Sequence, residues 1–172
     1  MKKLKFFTLA VAGCFALVSC SDDDNENNNS GNTNSDLVGT YRLTSWNSPV
    51  SVDFDGDGVS NTNMMNESNC YNNSIMRINN DNTYTMTYNY VGIDGTVSCQ
   101  SETTNGTWTR NGNSFATTNI AGGQNVNTNY NFASGNQTTL TRNMSNWNYP
   151  SVDANGSQVY ASGNVNTVMT RD

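Results

Sequence analysis

Histidine is absent from the 172-residue chain, and lysine is absent after residue 5. Those two gaps exclude histidine-dependent triads, zinc sites built on histidine, phosphate-loop lysines and Schiff-base lysines. Any catalysis would rest on carboxylates, tyrosines or serines. A carboxylate hydrolase needs two acids facing across a cleft. Outside the residue 20–36 stretch and the aspartate loop described below, the acids stand singly at Glu67, Asp81, Asp94, Glu102, Asp153 and Asp172. The chain is therefore expected not to be an enzyme and to require no cofactor. Positive charge is scarce: beyond the three lysines near the start, five arginines face fourteen acidic residues. That balance argues against nucleic acid, whose binding rests on Lys and Arg meeting phosphate, and against peripheral binding to anionic lipid. Hydrophobic residues make up only 34% of the chain, and Asn, Thr, Ser and Gly dominate the rest.

The one apolar run comes early. Met1-Lys2-Lys3-Leu4-Lys5 supplies a positive start, and residues 6–18 an apolar stretch too short to span a bilayer. It closes on Leu17-Val18-Ser19-Cys20, which resembles a bacterial lipobox. The resemblance implies a signal peptide over residues 1–19, cleaved before Cys20, with lipid added to the Cys20 thiol and the new amine. Two or more acyl chains hold a protein stably at a membrane where one does not. Ser21-Asp22-Asp23-Asp24-Asn25-Glu26 follows, and is similar to the acidic export signal of Bacteroidetes-type surface lipoproteins. An acidic, solvated linker is the alternative. Residues 20–36 as a whole read as a tether, since Asn27 to Ser35 carries no apolar residue and is expected to be disordered. The expected location is the outer membrane, lipid-anchored and facing the cell surface.

From Thr40 onward, period-two alternation with β-branched and aromatic residues takes over. Thr83-Tyr84-Thr85-Met86-Thr87-Tyr88-Asn89-Tyr90 is the cleanest case, with Tyr84, Met86, Tyr88 and Tyr90 on one face. Further strands are expected over residues 40–46, 74–79, 96–101, 106–110, 114–120, 126–132, 138–143 and 165–171. Asn79-Asn80-Asp81-Asn82 marks one turn, and Asn111-Gly112 a tight hairpin, because both residues tolerate positive φ. No stretch after the leader has a helical period. Eight or so short antiparallel strands joined by tight turns predict an all-β fold, a single up-and-down barrel of about eight strands rather than a sandwich.

Leu37-Val38-Gly39-Thr40-Tyr41-Arg42-Leu43-Thr44-Ser45-Trp46 resembles the opening strand of bacterial lipocalin-like domains, and Asn105-Gly106-Thr107-Trp108-Thr109 their mid-chain Gly-x-Trp strand. Residues 75–85 are similar to the second hairpin and 165–171 to the last strand. The resemblance covers most of residues 37–172. It implies an eight-stranded barrel closed at one end, with a pocket for a small, mostly apolar molecule. Tyr84, Met86, Tyr88, Trp108, Phe115, Tyr130 and Phe132 are the candidate lining residues, with ordinary core packing as the competing role. The chain departs from the family in having Tyr41 where lipocalins proper usually have Trp, and in the long segment from Asn47 to Tyr71. The polarity of the inward-facing residues leaves a hollow and a filled barrel both open, since eight strands are just wide enough for either.

Within that long segment lies Val52-Asp53-Phe54-Asp55-Gly56-Asp57-Gly58. Alternate aspartates followed by glycine are what a loop needs to wrap oxygen ligands around a hard cation such as calcium. Asp53, Asp55 and Asp57 would supply carboxylates, Val59 its carbonyl and Asn61 its side chain. An EF-hand would place Glu at its twelfth position, where this chain has Met64; Glu67, three residues late, is the remaining candidate ligand. A polar turn is the alternative. Cys14 falls in the leader and Cys20 takes lipid, which leaves Cys70 and Cys99 for one disulfide in an oxidising compartment. The function expected is a membrane-anchored binding module for a small apolar or amphipathic ligand. The alternative is a cell-surface interaction protein with a calcium-stiffened loop and no internal ligand.

Overall fold

The computed structural model describes residues 36–133 and 136–172. The expected leader, Cys20 and nearly all of the tether lie outside the described residues. Nine antiparallel strands follow in chain order: β1 Gly39–Val52, β2 Asn61–Asn63, β3 Ile75–Ile78, β4 Thr83–Asp94, β5 Thr96–Asn111, β6 Ser114–Ala121, β7 Gln124–Ala133, β8 Asn136–Val152 and β9 Gln158–Arg171. Each of β3 to β9 pairs with the next, and β1 pairs with both β3 and β9, which closes an eight-stranded up-and-down barrel. Closure removes the exposed sheet edges that an open sheet of this length would present. The short β2 lies outside this count, laid against the far half of β1 at Asn47 and Val52.

Alternation sets which side chains enter the barrel, and β-bulges reset it. On β1, Tyr41 and Leu43 are buried, but farther along Trp46 and Ser48 are buried instead. The switch from odd to even positions coincides with a register slip against β9 between Leu43 and Ser45, where one extra residue is accommodated. A second slip on β8, between Met144 and Trp147, carries Asn146 at a φ of 53°. Asn is among the few non-glycine residues that adopt that conformation readily.

The expected strands 96–101 and 106–110 are one continuous strand, β5. The Glu102–Asn105 stretch lacks apolar alternation, but β4 offers it an unbroken ladder from Thr83↔Thr107 to Asp94↔Thr96. The expected hairpin at Asn111-Gly112 sits one residue later: Asn111 pairs with Ser114, so the two loop residues are Gly112 and Asn113. Gly112 has φ 57°, and glycine at the first of two loop positions is what a type II′ turn requires. Gly106 has a different reason: a Cβ there would lie 2.0 Å from the Thr118 carbonyl oxygen of the neighbouring strand.

One end of the barrel is filled. Leu37, Tyr41, Trp108, Phe115 and Leu140 are at most 2% exposed, and Ile78 and Phe132 are buried with them. The Trp108 indole N–H donates to the Asn79 carbonyl at 3.0 Å, and its ring packs 5.7 Å from that of Phe115, which in turn lies 5.7 Å from Tyr130. Arg110, its side chain 4% exposed, lies over the Phe132 ring and donates to the Asp36 carboxylate at 2.9 Å. Arg171 donates to the Asp36 carbonyl, so the segment entering β1 is held against this end from both sides.

The long segment after β1 is built, not slack. Met64 N–H donates to the Trp46 carbonyl at 2.8 Å, and Met64 is fully buried. A 3-10 turn, Asn69–Tyr71, is N-capped by Ser68. It carries Cys70, which is disulfide-bonded to Cys99 of β5. Tyr71 of the same turn is 1% exposed and packs against Trp46 with its ring tilted by 30°, ring centroids 5.2 Å apart.

Candidate functional site

Above the filled end the barrel is hollow. A cavity of about 250 Å³ is walled by Tyr84, Met86 and Tyr88 of β4, Thr117 of β6, Tyr130 of β7, Arg142 and Met144 of β8, and Thr167 and Met169 of β9, among others. Nearer the mouth lies a second, more open space of about 390 Å³, lined by Trp46, Tyr71, Tyr90, Val91, Pro150 and Tyr160. Tyr88 and Trp147 form walls of both spaces.

Of the seven candidate lining residues, Tyr84, Met86, Tyr88 and Tyr130 are on the cavity wall. Trp108, Phe115 and Phe132 are not; they are buried and fill the closed end. The alternation that marks all seven as inward-facing is the same at both depths. What separates them is height along the barrel, where large rings from β5, β6 and β7 meet at one level and threonines and methionines at the next.

The walls are held by specific bonds. The Trp46 indole N–H donates to the Tyr88 hydroxyl at 2.7 Å. The Tyr160 hydroxyl donates to the Val91 carbonyl at 2.8 Å and accepts from the Ile93 N–H at 3.2 Å, joining β9 to β4 at the mouth. Burial pushes the phenols of Tyr88 and Tyr130 up to about 12, with the positive charge of Arg142 opposing the rise in both. Burial raises Tyr71 as well. All three therefore stay protonated through the neutral range and present O–H groups, not phenolates.

Among the wall residues that the candidate set omits, Arg142 is the one that carries a positive charge. Its guanidinium lies 5.6 Å from the centre of the Trp147 ring and beside the Tyr130 hydroxyl. Among the described residues it forms no ion pair; the two pairs found there are Arg42–Asp172 and Arg110–Asp36. The signal was present in Leu140-x-Arg142-x-Met144, where spacing two puts the arginine on the face of two apolar neighbours that are both buried.

The acidic loop stands apart from the cavity walls. Asp53 accepts from the N–H groups of Gly56 and Gly58 at 2.9 and 3.0 Å, Asp55 from Asp57 at 3.2 Å, and Asp57 from Val59 at 2.7 Å. These are the self-capping bonds of an Asp-rich turn. Glu67 nevertheless returns to the loop: its carboxylate lies within 4.8 Å of those of Asp53 and Asp55. Glu67 is 3% exposed, and accepts from the Phe54 N–H at 2.8 Å and the Asn61 amide at 2.6 Å. Asp57 and Val59 are not in this carboxylate triad, and Asn61 joins it only through its bond to Glu67.

No curated protein matches the chain. A family model described as a lipocalin-like domain matches residues 37–143, from the entry to β1 through Asn143 of β8. With the closed eight-stranded barrel, filled at one end and hollow at the other, that match places the chain in the lipocalin-like domain family.

Proposed function

We propose that this protein is a non-catalytic binding module that holds a small apolar or amphipathic molecule in the open half of its barrel. The observation carrying the proposal is the cavity of about 250 Å³ walled by Tyr84, Met86, Tyr88 and Tyr130 and continued by the aromatic mouth. Pockets of this kind, mostly apolar with a few polar groups, are where small ligands bind. The proposal extends to the anchor: Cys20 carries lipid, and the acidic, Asn-rich stretch after it spaces the barrel from an outer membrane at the cell surface.

N-phenyl-1-naphthylamine, an uncharged dye that brightens in apolar surroundings, tests the cavity. Wild type is expected to bind one equivalent. Thr128→Trp and Thr104→Phe, which place bulk on the cavity wall without touching the closed end, are expected to weaken binding tenfold or more. Equal binding by wild type and both folded variants would remove the cavity as the site.

We also propose that the acidic loop takes calcium. The support is Glu67: a buried carboxylate close to two others, with no cation paired to it among the described residues, is costly unless countercharge arrives. Calorimetric titration of calcium chloride into wild type should release heat and raise the melting temperature. Asp55→Ala, an exposed position that caps only Asp57, should lose both effects. No heat and no rise in wild type would leave the loop a self-capped turn.

A further inference from the structure

Arg142 is a half-buried cation in a chamber walled largely by aromatic rings, methionines and threonines. A guanidinium offers five N–H donors and no acceptor, and keeps its charge at any relevant pH. Two neighbours address it: the face of Trp147 and the hydroxyl of Tyr130. Both are neutral. Glu102 lines the same cavity, but it is an exposed residue and lies beyond ion-pairing distance of Arg142. The two arginines whose ion pairs are seen, Arg42 and Arg110, sit on the outer surface and at the closed end. Among the described residues lining that space, Arg142 is the one cation and Glu102 the one acid.

Holding a guanidinium partly out of water with no opposite charge is unfavourable for folding. The same arrangement is favourable for a ligand that brings the missing charge, because an anion there gains charge-assisted, often bidentate, hydrogen bonds in a site shielded from solvent. The Tyr130 O–H is already turned to the Met86 sulfur at 3.7 Å, but the Tyr88 hydroxyl, which accepts from the Trp46 indole N–H, stands on the same wall with its own proton to donate to an anion. Trp147 over the guanidinium, with Tyr88, Trp46 and Tyr160 above, forms an aromatic path from Arg142 to the mouth.

Resting on the cavity reading above, we infer that the ligand is an amphipathic anion, its carboxylate, sulfonate or phosphate group pairing with Arg142 and its apolar body lying against Tyr84, Met86 and the aromatic mouth. Arg142 thereby sets which molecules enter. The side chain is a specificity determinant and not a structural strut.

A matched pair of dyes tests this. N-phenyl-1-naphthylamine is neutral, and 8-anilinonaphthalene-1-sulfonate has the same aromatic body with a sulfonate added. Each is titrated into wild type, Arg142→Gln and Arg142→Lys, with Thr128→Trp marking binding elsewhere on the protein. Arg142→Gln is expected to weaken the sulfonate dye about tenfold to a hundredfold, the range for losing hydrogen bonds to a charged group. The neutral dye should change by less than about threefold, and Arg142→Lys should restore part of the sulfonate affinity. The melting temperature of unliganded Arg142→Gln should equal or exceed that of wild type, an outcome that a structural role would not give. Equal loss of both dyes, or no loss of the sulfonate dye, would overturn the inference while leaving the cavity reading intact. Failure of both dyes to bind wild type would remove the two together. Displacement of the bound sulfonate dye by decanoate or by decyl phosphate then separates a carboxylate from a phosphate headgroup.

Discussion

Trp108→Ala is expected to lower the unfolding free energy by about 3–5 kcal/mol, the usual cost of removing a large buried aromatic from a packed core. Trp108 is 2% exposed, and its ring packs against that of Phe115 at the filled end. The substitution also leaves the Asn79 carbonyl without the indole N–H that donates to it at 3.0 Å. For a domain of this size the loss amounts to a melting-temperature drop on the order of 10–18 °C. Urea unfolding followed by far-ultraviolet circular dichroism measures it. Trp147→Ala makes the comparison informative: that ring is 44% exposed at the mouth, so its removal should cost under about 1 kcal/mol. Similar losses from the two variants would contradict the division of the barrel into a filled end and a hollow one.

Removal of the Cys70–Cys99 disulfide should be nearly as damaging. The bridge spans 29 residues of sequence. In the chain-entropy picture, cross-linking across such a distance removes unfolded-state freedom worth about 3–4 kcal/mol. The native state is affected as well. Cys70 sits in the 3-10 turn that presents Tyr71 to Trp46, and both rings line the mouth. Cys70→Ser/Cys99→Ser, with no thiol left to mispair, is therefore expected to lower the melting temperature by about 10–14 °C. It should also weaken N-phenyl-1-naphthylamine binding, because one wall of the mouth loses its tie to β5. Unchanged stability in the double variant, with the disulfide verified in wild type by mass, would show that the segment after β1 is held by its own packing alone.

What was legible in the chain follows from which signals are local. Tyr84 to Tyr90 alternate so cleanly that β4 and its inward face could be read directly, and the pairing of Cys70 with Cys99 followed from how few cysteines remain. Strand length was less legible. The outer halves of β8 and β9 carry apolar residues at both odd and even positions (Tyr149 and Pro150, Val159 and Tyr160), so they show no clean alternation, and their strand form comes from pairing with each other from Trp147↔Gly163 to Val152↔Gln158. The bulges on β1 and β8 were not legible, because a parity switch needs the partner strand to define it.

The site was read in one dimension of two. Alternation identifies Tyr84, Met86, Tyr88, Trp108, Phe115, Tyr130 and Phe132 as facing inward. It says nothing of depth, and depth decides which rings fill and which line. Arg142 was missed because a charge on an apolar face reads as an exception to the pattern, although such an exception is the informative position in a binding barrel. Glu67 shows the converse. Its spacing is wrong for an EF-hand, yet the turn at Met64–Ser68, with Ser68 N–H donating to the Met64 carbonyl at 2.9 Å, brings its carboxylate back to Asp53 and Asp55.

The central claim, a small molecule held in the open half of the barrel, meets its most direct test in native mass spectrometry of the protein isolated under mild conditions from the organism that makes it. The account predicts a chain beginning at Cys20 with acyl groups attached, accompanied by one non-covalently bound small molecule. That molecule should be absent from Thr128→Trp and depleted in Arg142→Gln. A wild-type spectrum with no bound molecule, from protein that also fails to take up N-phenyl-1-naphthylamine, would contradict it.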